Sequence, residues 1–342
     1  MARAFITGVS GPVLTPDEKA FVREARPWAL IVFKRNVIDP AQLRRLVGDF
    51  HDAAGAALPV LVDQEGGRVQ RLGPPHWRAY PPGAAYGALH DRDAALGLAA
   101  ARLGARLIAH DLAQVGIDVD CLPLADVPAA GASPVISDRA YGDTPPKVAA
   151  IAAAIADGLM TGGCLPVLKH LPGHGRAMAD SHAELPVVSA GPDALEAVDF
   201  AAFRPLRQLP LGMTAHVVFT AFDPELPATT SPTMIARVIR ERIGFAGALM
   251  SDDISMGALS GTVAERARAA LAAGCDLVLH CNGDLAEMRA VAQEAPELSG
   301  DALRRTDAAL AARRAADDID IAAVRRRFAQ LMTSVGIEVE AT

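Results

Sequence analysis

The stretch Leu165-Pro166-Val167-Leu168-Lys169-His170-Leu171-Pro172-Gly173-His174-Gly175 decides the architecture of this chain. It opens as a short apolar run and ends in groups that can bind anions and move protons. A short Val/Leu/Ile run bounded by Gly, Pro or polar residues reads as a strand buried on both faces. Seven runs of this kind occur, at 29–33, 59–62, 117–122, 165–169, 212–218, 247–250 and 275–280, with 5–6 as an eighth. Amphipathic segments lie between them: 40–53, 94–115, 146–160, 193–208, 232–243, 263–273 and 285–292. Asp39 supplies an N-cap ahead of Pro40, and Gly116 follows the second segment as a C-terminal stop. Two further helices are expected at 303–315 and 321–335.

Alternation of this kind gives an α/β fold, either a doubly wound sheet or a (β/α)8 barrel. Gly8 and Gly11 do not form the Gly-rich phosphate loop that a dinucleotide site needs after its first strand. Asp63, Glu65, Lys169, His170, His216 and Asp252 all fall at or just past the C-terminal ends of runs. A barrel assembles its site there from several strands, whereas a doubly wound sheet uses one switch point. The expectation is therefore a single TIM-like barrel. Its 342 residues form one catalytic domain, with 296–342 as trailing helices. The irregular stretches 66–91, 124–144 and 172–192 follow strands and would line the mouth.

Lys and Arg number 33 against 40 Asp and Glu, a net charge of −7, which argues against a nucleic-acid partner. Hydrophobic residues make up 51%, enough for a large core. No charge-free run of about 18 apolar residues suggests a membrane partner. Residues 1–10 lack the long apolar core of a signal peptide, so a cytoplasmic location is expected. Cys121, Cys164, Cys275 and Cys281 form no Cys-x-x-Cys pair and read as reduced, buried thiols.

Four clusters carry chemistry. Lys169 ends an apolar run, so it would be buried and require an anionic or hydrogen-bonding partner. His170 and His174 are four apart, a metal spacing only on a helix, and Pro172, Gly173 and Gly175 oppose one. In Asp180-Ser181-His182, residues two apart face one side of an extended chain, so Asp180 can hold one imidazole nitrogen. The bland reading is an unrelated Asp and His in a solvated loop. In Ser251-Asp252-Asp253, strand alternation points one carboxylate at the mouth as a nucleophile, base or metal ligand, and leaves the other to cap the turn. In Asp63-Gln64-Glu65-Gly66-Gly67-Arg68-Val69-Gln70-Arg71, the two glycines permit a tight turn from which Arg68 and Arg71 can reach back. Carboxylate–arginine pairs suit sugar hydroxyls and acetamido groups, though such a pair can also simply brace a loop.

Taken together, segments 169–175, 180–182, 63–71 and 251–256 resemble glycoside hydrolase family 3. The short chain and its Asp-x-His loop are similar to the bacterial β-N-acetylglucosaminidase branch. The resemblance covers roughly residues 1–295, shows no departure at the matching positions, and lacks the second sandwich domain of other members. It implies a retaining exo-β-N-acetylglucosaminidase that trims muropeptides in peptidoglycan recycling. Asp252 would be the nucleophile and His182 the acid/base, held by Asp180. Asp63, Arg71, Arg139, Lys169 and His170 would bind the sugar; Arg139 lies in the weaker motif Ser137-Asp138-Arg139-Ala140-Tyr141-Gly142. It implies a small saccharide or muropeptide substrate, with no cofactor, metal or obligate protein partner. Phosphorolysis is an alternative, since a neutral imidazole repels phosphate less than a carboxylate. A less specific β-glycosidase, a metal hydrolase on His170, His174 and Asp180, and a non-catalytic sugar-binding protein are the others.

Overall fold

A computed structural model describes residues 1–339; the last three residues of the expected trailing segment 296–342 lie outside the described residues. Eight parallel strands close into a barrel: β1 (Arg3–Thr7), β2 (Pro27–Val32), β3 (Val60–Val62), β4 (Val119–Asp120), β5 (Leu165–Leu171), β6 (Leu211–Thr214), β7 (Ala248–Asp253) and β8 (Leu277–His280). Each pairs with its neighbours in sequence, and β8 returns to β1 through Phe5–Val278 and Thr7–His280. All eight expected strands are present, as is the (β/α)8 arrangement.

Every residue of β2, β5 and β6 is buried, because one face points into the barrel and the other against helices. Ile6, Ile31, Leu61, Val167, Met213 and Leu279 pack within the barrel, while their neighbours Phe5, Leu30, Val60 and Leu168 pack against the surrounding helices. The helices are α1 (Pro16–Ala25), α2 (Pro40–Ala54), α3 (Gly83–Arg92), α4 (Ala94–Ala113), α5 (Pro145–Thr161), α6 (192–206), α7 (Met234–Ile243), α8 (Val263–Ala273), α9 (Leu285–Glu294), α10 (Gly300–Ala311) and α11 (Ile321–Thr333). No helix among the described residues is long and apolar enough to cross a membrane.

Two expectations about elements need correction, and helix α1 comes in addition to those expected. The stretch 66–91 is not wholly irregular: it contains α3, whose Gly83 and Gly87 hide it as a loop. A Cβ at either glycine would lie 2.1 and 2.2 Å from the carbonyl oxygens of Arg139 and Tyr141, so close packing explains them. Helix α1 was not anticipated, although Thr15 and Glu18 form a capping box with Pro16 at the first turn. The run 212–218 is not one strand: β6 stops at Thr214, and Val218–Phe219 joins a small separate sheet with Val187–Val188 and Asp223–Pro227.

Candidate active site

The C-terminal ends of the strands and their loops enclose a pocket of about 390 Å³. All the expected site residues line it: Asp63, Arg71, Arg139, Lys169, His170, Asp180, His182 and Asp252. The three loops 66–91, 124–144 and 172–192 each contribute side chains, as the barrel reading required.

One wall is a buried cluster of two carboxylates and three cations. Asp63, just past β3, accepts from Arg71 Nη2 at 2.8 Å and from Lys169 Nζ at 3.1 Å. Glu65 takes both arms of Arg139, at 2.8 and 2.7 Å, and Lys169 Nζ at 2.7 Å. Arg71 also lies over the Phe33 ring, 5.2 Å from its centroid. Burial alone would push both carboxyls up. Lys169 with Arg71 more than reverses this at Asp63, and Lys169 with Arg139 holds Glu65 down to about 2. Burial works against the Lys169 ammonium, but Glu65 and Asp63 raise it above the usual lysine range. The cluster is thus ionised at neutral pH and keeps three cations in place beside the pocket. Arg68, by contrast, reaches Asp138 and the carbonyls of Pro134 and Val135, bracing the neighbouring loop.

At the end of β5 the peptide between Lys169 and His170 is cis. His170 Nδ1 bonds Asp126 Oδ2 at 2.8 Å, which leaves Nε2 as its second nitrogen. Asp126 Oδ1 accepts the His174 backbone N–H at 2.6 Å. Because β5 is extended to Leu171, His170 and His174 do not share a helix face. Their nitrogens are engaged separately, His174 Nε2 with Ser181 Oγ at 2.9 Å. Among the described residues no group of three His, Cys, Asp or Glu is arranged to hold a metal ion.

At the end of β7 the two aspartates divide as alternation suggested. Asp253 Oδ1 accepts from the backbone N–H of Ser255 and Cys281, and Oδ2 from Ser255 Oγ, so it builds the turn. Asp252 receives the Asp253 N–H at 2.8 Å. Burial would raise its carboxyl, but His216, His170, the Asp253 amide and Lys169 together hold it below the usual carboxylate range. It is an anion at neutral pH. His216 sits behind it, with Nδ1 on Thr229 Oγ1 and Nε2 on the Asp253 carbonyl.

On the loop after β5, Asp180 Oδ1 accepts both the His182 backbone N–H at 2.9 Å and His182 Nδ1 at 2.7 Å. Burial would raise the Asp180 carboxyl, but the His182 amide and ring together hold it below the usual carboxylate range, so it is ionised. An ionised acceptor places the imidazole proton on Nδ1 and leaves Nε2 for the pocket. The His182 side chain is 67% exposed, in contrast to the buried wall of carboxylates and cations. The arrangement offers a carboxylate nucleophile, a tautomer-fixed imidazole and a polar wall to one ligand.

Asp126 was missed in the sequence. Its signal was a lone carboxylate within the apolar run 121–127, since a charge there must be paired when buried. Glu65 stands at a strand end with no partner evident in the sequence, because its pairing with Arg139 depends on a loop 74 residues away.

Residues 14–313 match the family profile described as the glycosyl hydrolase family 3 N-terminal domain. A beta-hexosaminidase of Alkalilimnicola ehrlichii is 41% identical over 279 residues, covering 80% of this chain and 79% of the relative. A beta-hexosaminidase of Aromatoleum aromaticum is 36% identical over 313 residues, covering 90% and 87%. Among solved structures, NagZ of Neisseria gonorrhoeae in complex with N-trifluoroacetyl-D-glucosamine superposes with a TM-score of 0.85 at 31% identity, covering 98% of this chain and 97% of that one.

Proposed function

This chain belongs to glycosyl hydrolase family 3, and from that premise we propose that it is an exo-acting β-N-acetylglucosaminidase that retains anomeric configuration. Its substrates would be small saccharides, with N-acetylglucosamine removed from cytoplasmic muropeptides during peptidoglycan recycling. Residues 1–342 would act as one catalytic unit. The observation that carries this reading is a single pocket holding the ionised Asp252 and the Asp180–His182 pair. The beta-hexosaminidase relatives and the glucosamine-derived ligand of the solved neighbour support the sugar class. Four free, buried cysteines suit a reducing compartment.

In the first step Asp252 attacks C1 of the sugar while protonated His182 gives its Nε2 proton to the departing glycosidic oxygen. The transition state is cationic at the sugar ring, so the carboxylate stabilises it before the covalent bond forms. In the second step Nε2 takes a proton from water, whose oxygen attacks C1 and releases Asp252. Nδ1 keeps its proton throughout and donates it as a hydrogen bond to ionised Asp180, which fixes the ring and stabilises the imidazolium. Asp63, Arg71, Arg139, Lys169 and His170 would hold the sugar hydroxyls and acetamido group.

The test compares a chromogenic β-N-acetylglucosaminide with the matching β-glucoside, using the wild type and Asp252→Ala. Cleavage of the first substrate, weak cleavage of the second and a loss of roughly 10⁴-fold or more in the variant are expected. Equal cleavage of both would overturn the sugar assignment, and an active Asp252→Ala variant would overturn the mechanism.

A further inference from the structure

The acid/base loop is anchored at a point that the catalytic groups themselves do not explain. Ser181, between Asp180 and His182, is buried at 3% exposure, although its two neighbours are well exposed. Its Oγ lies 2.9 Å from His174 Nε2, and His174 is equally buried. Residue alternation explains the contrast: when Asp180 and His182 face the pocket mouth, Ser181 faces inward. The hydroxyl therefore ties the loop to the end of β5.

His174 is itself fixed. Its backbone N–H donates to Asp126 Oδ1 at 2.6 Å, and the other oxygen of that carboxylate holds the His170 ring. The two imidazoles meet edge to face, 5.7 Å between centroids. Nδ1 of His174 has no hydrogen-bond partner among the described residues, so the Ser181 contact is the one hydrogen bond its ring makes there. Asp126 thus anchors the sugar-facing His170 and the loop-facing His174 together.

We propose that His174 and Ser181 are positioning residues, a buried latch that sets His182 against the bond to be cleaved. This rests on the assignment of His182 as acid/base given above. Both residues border the pocket beside the loop, but neither pairs with the buried Asp63, Glu65, Arg71, Arg139 and Lys169 cluster. Loss of the latch lets the loop swing and withdraws the proton donor while Asp252 and the sugar-binding cluster stay in place. Acid assistance matters most when the leaving group is a poor one, so the latch acts on the same substrates that His182 does.

The experiment measures kcat/KM for Ser181→Ala, His174→Ala, His174→Gln and His182→Ala. Two β-N-acetylglucosaminides are used, one with a sugar leaving group and one with a dinitrophenyl leaving group. Ser181→Ala is expected to lose at least fivefold more on the sugar leaving group than on the dinitrophenyl one. His174→Ala should show the same bias, and a Ser181→Ala/His174→Ala double variant measured beside them should lose no more than the worse single one. His174→Gln, whose amide can still meet Ser181 Oγ, should recover most of the loss. Ser181→Ala, which removes only one oxygen, keeps the test readable if His174→Ala fails to fold. Parallel losses on both substrates, or none, would overturn the latch while a strong bias in His182→Ala still upheld the acid/base assignment. Absence of bias in His182→Ala itself would instead overturn that assignment.

Discussion

Glu65 shows how one carboxylate holds two buried cations in place. Its carboxylate neutralises Lys169 and Arg139, both almost fully buried. Removing its charge in Glu65→Gln leaves those cations partly uncompensated, a loss of about 3 kcal/mol in unfolding free energy. The pH dependence has the same origin. In the folded chain this carboxyl titrates at about 2, against an ordinary 4.5. The unfolded chain takes up the proton first, so this contribution is complete above the ordinary value and fades as pH falls from about 4.5 through 2. Denaturant titrations at stepped pH should show the wild type losing on the order of 3 kcal/mol more than Glu65→Gln across that window. Equal slopes would place the acid sensitivity elsewhere. At this scale the residues with motif context were legible: Asp63, Lys169, His182 and Asp252. Asp126 and the pairing of Glu65 with Arg139 were not, because they arise from contacts between segments far apart in sequence.

Among elements, the loop bearing His182 and the loop after β7 depend on each other. The amides of Gly257 and Ala258 donate to the carbonyls of His182 and Ser181 at 3.2 and 3.3 Å. A Cβ on residue 257 would lie 2.8 Å from the Ala183 oxygen and 3.0 Å from that of His182. Backbone cannot yield cheaply at two points, so Gly257→Ala should push the loop bearing His182 outward. A loss of about tenfold or more in kcat/KM, with a thermal midpoint lowered by only a few degrees, is expected. Unchanged kcat/KM would show that the loops move independently. The strands were legible because both their faces are buried and their runs are continuously apolar. Helix α3 was obscured because Gly83 and Gly87, spaced for contact with the 139–141 backbone, carry the same letters as a turn.

Across the whole barrel, ion clusters at opposite ends have different consequences. At the end remote from the pocket, Asp276 accepts from Arg240 and Leu249 N–H through Oδ2 and from Arg305 of α10 through Oδ1. This ties α10 to the bottom of the barrel, where Leu298 and Ala309 complete the interior packing. Asp276→Ala should therefore cost about 3 kcal/mol of stability, the lower end for a broken buried pair because both arginines can regain some water. KM at a temperature where the variant remains folded should stay within about twofold, since barrel chemistry sits at the other end. A large KM change would show that the two ends are coupled. Closure of eight strands was legible from the spread of polar groups over several strand ends. The seating of α10 was not, since it rests on Arg305 meeting an aspartate 29 residues away.

The central claim is that Asp252 forms a covalent bond to the sugar. Reaction with a fluorinated N-acetylglucosaminyl fluoride that slows the second step, followed by peptide mass spectrometry, tests it most directly. One glycosyl adduct per chain is expected, on Asp252 and lost on incubation in buffer. An adduct on Asp253 or another residue, or rapid turnover with no adduct under single-turnover conditions, would contradict it.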